Sequence, residues 1–150
     1  MQLTENFHLE EFLRSHTADK RSIDNTPPSG VIKNLGWLAE WLEELRIGIG
    51  NVPIIIVSGY RNHELNEAVG GQRDSRHTMG LAADFYAIGK TPQQVIDKAI
   101  EIGLAFDELI GKKTTVHVGL SRPEMLRWIG TDKRVVSEVF PSHHVSKLDS

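Results

Sequence analysis

The sequence contains no cysteine, no long apolar run and no excess of basic residues. Without cysteine, no disulfide can stabilise the fold, and neither a cysteine-ligated metal site nor a cysteine nucleophile is available. No apolar stretch approaches the ~18 residues that a membrane span needs, so we expect no membrane insertion. The formal net charge of −3 argues against nucleic acid as a partner, because phosphate binding requires a basic surface.

The first six residues also lack the charged start and apolar core of a secretory signal, so we expect synthesis in the cytoplasm without a signal peptide. A length of 150 residues, with 39% hydrophobic and 25% charged residues, is typical of one soluble globular domain. We therefore expect residues 1–150 to form a single domain, with a polar, flexible tail from residue 141. The oligomeric state cannot be predicted from these patterns.

The hydrophobic pattern predicts interleaved helices and strands. Threonine and proline at 91 and 92, with glutamine at 94, are typical of a capped helix start. Helices are predicted over residues 3–13, 31–45 and 63–69 and from residue 91 to 102, and strands over residues 54–57, 81–86, 106–110 and 115–120. Residues 126–140 suggest a further hairpin. Because hairpins join neighbouring strands, we expect an α+β fold in which an antiparallel sheet packs against helices.

Two histidines and one aspartate carry the chemistry of the chain. His77 and Asp84 lie in the stretch Ser-Arg-His-Thr-Met-Gly-Leu-Ala-Ala-Asp, and His117 lies between two valines. Two imidazoles and a carboxylate are the ligand set of a zinc ion that keeps one position open for water, which makes a metallohydrolase the leading hypothesis. The alternative for each residue is structural, since most isolated histidines are surface or hydrogen-bonded core residues.

The spacing of these residues fits a metal site built on strands. A spacing of seven from His77 to Asp84 excludes two ligands one helical turn apart and favours a loop that leads into a strand. In such a strand Asp84 shares its face with Ala82, whose small side chain leaves room for an ion. Gly80 permits a tight turn between the two ligands.

The pattern Ser75-x-His77-x-x-Gly80-x-Ala82-x-Asp84, followed by His117-Val118, resembles the zinc D-alanyl-D-alanine carboxypeptidase family. That family includes vancomycin-resistance dipeptidases and phage endolysins, and it shares its fold with the Hedgehog signalling domain. Similar stretches occur at residues 22–27, 58–61 and 69–71, so the resemblance covers about residues 3–120. It implies a Hedgehog-like peptidase fold and zinc bound by His77, Asp84 and His117.

The resemblance also implies roles for two further side chains. Arg61 matches an arginine that polarises the scissile carbonyl and stabilises the oxyanion, which suits a fixed cation beside developing charge. The alternative for Arg61 is a surface ion pair with Glu64 or Glu67. Ser75 would orient substrate or a ligand, and the alternative is a turn-forming serine.

The general base is where the sequence departs from the family pattern. The family places an acidic residue close before the last histidine, often three residues upstream, and that position holds Thr114. We nominate Glu108 because a hairpin can bring it opposite the His117 region; the alternative is a solvent-facing strand residue. Loss of a base costs roughly 10²–10⁴ in rate.

The function implied is a zinc metallopeptidase that cleaves bacterial cell-wall (peptidoglycan) peptides next to a D-amino acid. One alternative is a zinc-stabilised cell-wall binding module that has lost the base, and another is a structural phage component. The partner is then a peptidoglycan peptide, reached by delivery through a phage or another route independent of a secretory signal. Endopeptidase and carboxypeptidase action remain open alternatives at the level of sequence.

Overall fold

The structure is a computed structural model and describes residues 1–121 and 145–146. Two strands pair at the start of the chain, and a short 3₁₀ turn, Leu9–Phe12, follows them. The strands are β1 (Gln2–Thr4), β2 (Phe7–His8), β3 (Ile54–Ser58), β4 (Ala82–Ala87), β5 (Glu108–Gly111), β6 (Val116–Gly119) and β7 (Val145–Ser146). The helices are α1 (His16–Arg21), α2 (Ser29–Gly48), α3 (His63–Ala68) and α4 (Pro92–Glu101), and a second 3₁₀ turn spans Arg76–Met79.

The main sheet has five strands in the order β3-β4-β6-β5-β7. The pairs β3–β4, β4–β6 and β6–β5 are antiparallel, which confirms the predicted α+β fold with an antiparallel sheet. Strand β7 pairs with β5 in parallel. The sheet is therefore antiparallel through the four strands that carry the site, with one short parallel pairing added at its edge.

One face of this sheet forms the core with α2 and α4. Leucines of α2 at spacings of three and four are fully buried, and the cap of α4 forms as predicted, with Thr91 Oγ1 accepting from the Gln94 amide at 3.1 Å. The buried cluster includes Leu35, Leu38, Leu42 and Leu45 of α2, Val95, Ile96 and Ala99 of α4, and Phe85, Leu109, Val116 and Val118 of the sheet. The core therefore packs against one face of the sheet, and the site lies on the opposite face.

The other face of the sheet carries polar and half-exposed side chains. Side chains alternate between faces along a strand, so Asp84 and Tyr86 of β4 lie on the face opposite Phe85. The same alternation places Ile55 and Val57 of β3 outward, with exposed fractions of 37% and 53%. The predicted strand over residues 54–57 is therefore confirmed as β3, but β3 is an edge strand and only its Ile54 and Ile56 side chains join the core.

The amino-terminal segment differs from the predicted helix over residues 3–13. It forms the β1–β2 pair first, and helical structure begins only at Leu9. The pair is held against α2, where the Asn6 amide donates to Glu43 Oε2 at 2.7 Å and Asn6 Nδ2 to Glu43 Oε1 at 2.8 Å. Local apolar spacing could not reveal this long-range packing, which overrides helix propensity.

At the carboxyl end, two residues of the predicted flexible tail, Val145–Ser146, form β7. A strand at a sheet edge presents unpaired backbone groups, and β5 would be such an edge without this partner. The predicted hairpin over residues 126–140 lies outside the described residues. Within residues 1–121 and 145–146, no helix combines the length and apolarity needed to cross a membrane.

Candidate metal centre

The candidate metal centre lies where β4 and β6 pair. Asp84 and His117 are direct cross-strand partners in the register, so their side chains leave the same face of the sheet. His77 approaches from the 3₁₀ turn Arg76–Met79, which directly precedes β4. One ligand atom from each of the three residues lies within 4.8 Å of the other two. The structure thus brings together the three residues that the sequence identified as candidate ligands.

His77 is held in place by the backbone of the β3 end. Its ring is buried, with 2% of the residue exposed, and Nδ1 lies 2.6 Å from the carbonyl oxygen of Gly59. A carbonyl only accepts, so Nδ1 carries the proton and Nε2 is left as the free nitrogen. Nε2 points to Asp84, at 3.4 Å from Oδ2. This arrangement fixes both the orientation and the tautomer of His77, as is typical of histidines that bind metals.

Gly80 ends the turn that carries His77. Its φ of +72° lies in the left-handed region, and a Cβ at this position would come within 2.9 Å of Val31 Cγ1. A glycine is therefore required both for the backbone conformation and for the close approach of α2. The sequence-based expectation of a tight turn at Gly80 is confirmed.

His117 bridges two carboxylates. Its Nδ1 lies 2.8 Å from Asp84 Oδ1, and its Nε2 lies 3.3 Å from Glu108 Oε1. Burial alone would lower the pKa of His117, but the hydrogen bonds to Asp84 and Glu108 outweigh it and raise the pKa to about 9. Burial would likewise raise the pKa of Asp84, and the hydrogen bond from His117, together with the neighbouring His77 ring, instead holds this pKa well below its usual range.

These electrostatics fit a cation site. The anionic carboxylate of Asp84 lies between two imidazoles, and in the absence of a metal the protonated ring of His117 supplies the positive charge beside it. The donor set has two nitrogens and one carboxylate oxygen, which is the composition of catalytic zinc sites that keep a coordination position open. The residues present therefore fit zinc.

A cavity of about 450 Å³ opens over the centre. Its wall includes all three candidate ligands, together with Arg61, Ser75, Arg76 and Glu108. Gly70 and Gly71 also form part of this wall. A peptide that enters this cavity would therefore meet the ligands and the predicted catalytic side chains together.

Arg61 faces the carboxylate of the centre. Its side chain lines the cavity, Nε is buried without a hydrogen-bond partner among the described residues, and Asp84 is the charge that acts on it. Burial lowers the pKa of Arg61, and Asp84 counteracts this. Arg61 and Asp84 line the same cavity, and among the described residues no ion pair joins Arg61 to Glu64 or Glu67. The role of Arg61 in catalysis stays a prediction.

Ser75 acts locally on the turn of His77. Its Oγ accepts a hydrogen bond from the His77 amide at 3.2 Å, and its carbonyl accepts from Thr78 Oγ1 at 2.6 Å. These contacts match the turn-forming alternative, and through them Ser75 positions a ligand-bearing residue. A contact between Ser75 and substrate stays a prediction.

Glu108 and Thr114 lie at different places in the β5–β6 hairpin. Glu108 lines the cavity and pairs across the sheet with Gly119, two residues beyond His117. Hydrogen bonding to His117 lowers the pKa of Glu108 and outweighs burial, so the group is an anion at neutral pH. Thr114 is exposed in the loop between the strands. The solvent-facing alternative for Glu108 does not describe its position, and its role as a base stays a prediction.

Sequence reasoning missed four residues that support the centre: Gly59, Arg76, Asp107 and Gly119. Arg76 donates to Asp107 Oδ2 at 2.8 Å and to Glu108 Oε1 at 3.1 Å, and Ser121 Oγ donates to the same Asp107 oxygen. The only available signal was position, since Arg76 precedes His77 and Gly119 shares a strand face with His117.

The family model described as Peptidase M15 matches residues 5–128, and the matched range includes every residue of the centre. No curated protein matches the chain.

Proposed function

Because the chain belongs to the peptidase M15 family, we propose that it is a zinc-dependent peptidase that hydrolyses peptidoglycan peptides next to a D-amino acid. The observation that carries the proposal is the convergence of His77, Asp84 and His117 in the wall of a cavity that also holds Arg61 and Glu108. The choice of substrate rests on the resemblance of the ligand pattern to the zinc D-alanyl-D-alanine carboxypeptidases.

His77, Asp84 and His117 would hold the zinc ion, which would supply a Lewis acid and lower the pKa of a water molecule to about 7. Arg61 binds the oxygen of the scissile carbonyl, where negative charge develops, and a fixed cation at that point acts mainly on the transition state. Its unpaired Nε and its burial beside Asp84 leave it available for this contact.

Glu108 is the proposed base. Its carboxylate takes a proton from the attacking water as the new C–O bond forms and returns the proton to the amine when the C–N bond breaks. Both of its hydrogen bonds, to Arg76 and to His117, use Oε1, and no described residue bonds Oε2. Oε2 is therefore free of protein partners among the described residues and suits the proton transfer.

The alternative function is a zinc-stabilised binding module for the cell wall. Thr114 favours it, because a threonine exposed in the hairpin loop replaces the acidic residue of the family pattern and cannot shuttle a proton. A single domain over residues 1–150, Ser75 as a substrate contact, and delivery to the wall by a phage or another signal-independent route stay predictions.

The test is incubation of the purified protein with soluble muropeptides, with and without zinc, followed by detection of released amines. We expect one bound zinc per chain and zinc-dependent release that His77→Ala abolishes. His63→Ala is the matched control, since His63 begins α3 and lies outside the metal cluster.

Two results would contradict the proposal. Protein that neither contains zinc nor takes it up would exclude both the peptidase and the zinc-stabilised module. Zinc binding without amine release at any pH between about 6 and 9 would favour the binding module, because a bound water with a pKa near 7 should be active in that range.

A further inference from the structure

Gly119 and Arg76 meet at the carboxylate of Glu108, on the side of His117 that faces away from Asp84. Glu108 and Gly119 are cross-strand partners, and a Cβ built on Gly119 would lie 2.5 Å from Glu108 Oε1 and 3.1 Å from Arg76 Cδ. Real Cβ atoms do not approach an oxygen so closely. The Glu108 side chain therefore occupies the place where a Cβ at position 119 would lie, and any larger residue there would displace the Glu108 carboxylate.

The guanidinium of Arg76 holds this carboxylate from the other side. Two of its nitrogens donate to two different carboxylates, Nη1 to Glu108 and Nη2 to Asp107. Asp107 is buried, and its carboxylate accepts a hydrogen bond from Ser121 Oγ. Its backbone amide donates to the Gly119 carbonyl at 2.9 Å. Asp107 thus anchors the arginine, and the planar fork of the arginine fixes the position of Glu108.

Glu108 in turn contacts His117 on the nitrogen that a metal would not use. Nδ1 of His117 is the nitrogen on the side of Asp84, so it is the one that can join Asp84 and His77 as a ligand. Nε2 then donates to Glu108 Oε1. A carboxylate on the far nitrogen of a ligating histidine fixes its ring and increases its basicity, and removing such a partner typically weakens metal binding 10–100-fold.

We infer that Arg76 and Gly119 are positioning residues for the metal centre: together they seat the Glu108 carboxylate against Nε2 of His117, and this contact sets the affinity for zinc. The inference rests on the proposed function, because it assumes that zinc is the ion bound. The positioning role of Glu108 is compatible with its proposed role in proton transfer, because the hydrogen bond with His117 uses Oε1 and the proton transfer would use Oε2.

The test measures zinc affinity by competition with a chromophoric chelator, so it does not depend on activity. Gly119→Ala displaces the carboxylate while it leaves every charge in place, and Arg76→Lys keeps the charge while it removes the fork. We expect each variant to raise the zinc dissociation constant about 10-fold or more. Gly36→Ala is the matched control, since no atom lies within 4 Å of a Cβ there, and it should bind zinc as the parent protein does.

A double-mutant cycle shows whether the effect passes through Glu108. Glu108→Ala removes the carboxylate oxygen that would lie 2.5 Å from a Cβ at position 119, and the nearest remaining atoms are then Arg76 Cδ at 3.1 Å and the residue-108 Cβ at 3.3 Å. In that background, Gly119→Ala and Arg76→Lys should each change the dissociation constant by no more than about twofold, whereas a general disturbance of the hairpin would persist. Thermal unfolding of the metal-free variants checks that the fold is retained.

The inference is overturned if Gly119→Ala and Arg76→Lys bind zinc as tightly as the parent protein, or if their losses persist undiminished in the Glu108→Ala background. Either result leaves the proposed function standing, because the parent protein binds zinc in both. If the parent protein binds no zinc, the proposed function fails, and this inference fails with it.

Discussion

At the scale of single residues, Glu108 has two separable tasks, and one substitution distinguishes them. Glu108→Gln keeps an oxygen that accepts from Nε2 of His117, so zinc binding should fall little. The amide cannot take up a proton, so we expect kcat to drop by about 10²–10⁴ at nearly unchanged zinc occupancy. Steady-state kinetics on a muropeptide, together with zinc analysis of the same samples, measures both quantities.

Glu101→Gln is the control for this substitution, because Glu101 is an exposed residue at the end of α4 whose ion pair with Lys98 joins two side chains of the same helix. It should leave both zinc content and turnover unchanged. Unchanged turnover in Glu108→Gln would eliminate Glu108 as the base. The loss of turnover and zinc together would instead assign Glu108 to positioning alone.

At the scale of elements, Gly59 joins the end of β3 to the turn that carries His77. A Cβ at Gly59 would lie 2.5 Å from the carbonyl oxygen of Phe12 and 2.7 Å from its Cα, and the same glycine accepts the hydrogen bond from His77 Nδ1. These contacts are to backbone, which cannot turn aside as a flexible side chain can. Gly59→Ala should therefore lower the free energy of unfolding by about 1–3 kcal/mol and also weaken zinc binding.

Urea unfolding of the metal-free protein measures the first effect, and chelator competition measures the second. Gly36→Ala again serves as control, because it lies inside α2 with open space around it, and it should stabilise by up to about 1 kcal/mol. An unfolding free energy of Gly59→Ala equal to that of the parent protein would contradict the proposed contact with Phe12.

The strands of the site also show which of its features the sequence patterns could predict. Alternation along the predicted strand predicted that Asp84 shares its face with Ala82, because strand periodicity is local. The pairing of Glu108 with Gly119 is a matter of register, which hydrophobic alternation alone leaves undetermined for a strand pair. Two hydrogen bonds could not be predicted for the same reason: the one from Arg76 to Glu108 and the one from His77 to the Gly59 carbonyl. Each of them joins segments that are distant in the chain.

At the scale of the whole molecule, the core and the metal centre occupy opposite faces of one sheet. The buried cluster of α2, α4 and the inner sheet face includes none of the three candidate ligands. We therefore expect the metal-free protein to stay folded, with zinc adding stability by mass action, about 2.7 kcal/mol when free zinc is 100 times its dissociation constant. A zinc-dependent rise in Tm that disappears in His77→Ala would agree with this expectation, and unfolding upon chelation would contradict it.

The pH dependence of that rise follows from His117. In the metal-free protein, contacts with Asp84 and Glu108 raise the pKa of His117 from 6.5 to about 9, so this group stabilises the fold fully below about pH 6.5 and loses its contribution as the pH rises through 9. Zinc must replace the proton on His117, so its binding is opposed most at low pH. The difference in Tm between zinc-loaded and metal-free protein should therefore grow from about pH 6 to about pH 8.5. Calorimetry in buffers that do not bind zinc measures it, and a difference that stays constant or shrinks over this range would show that His117 is not a ligand.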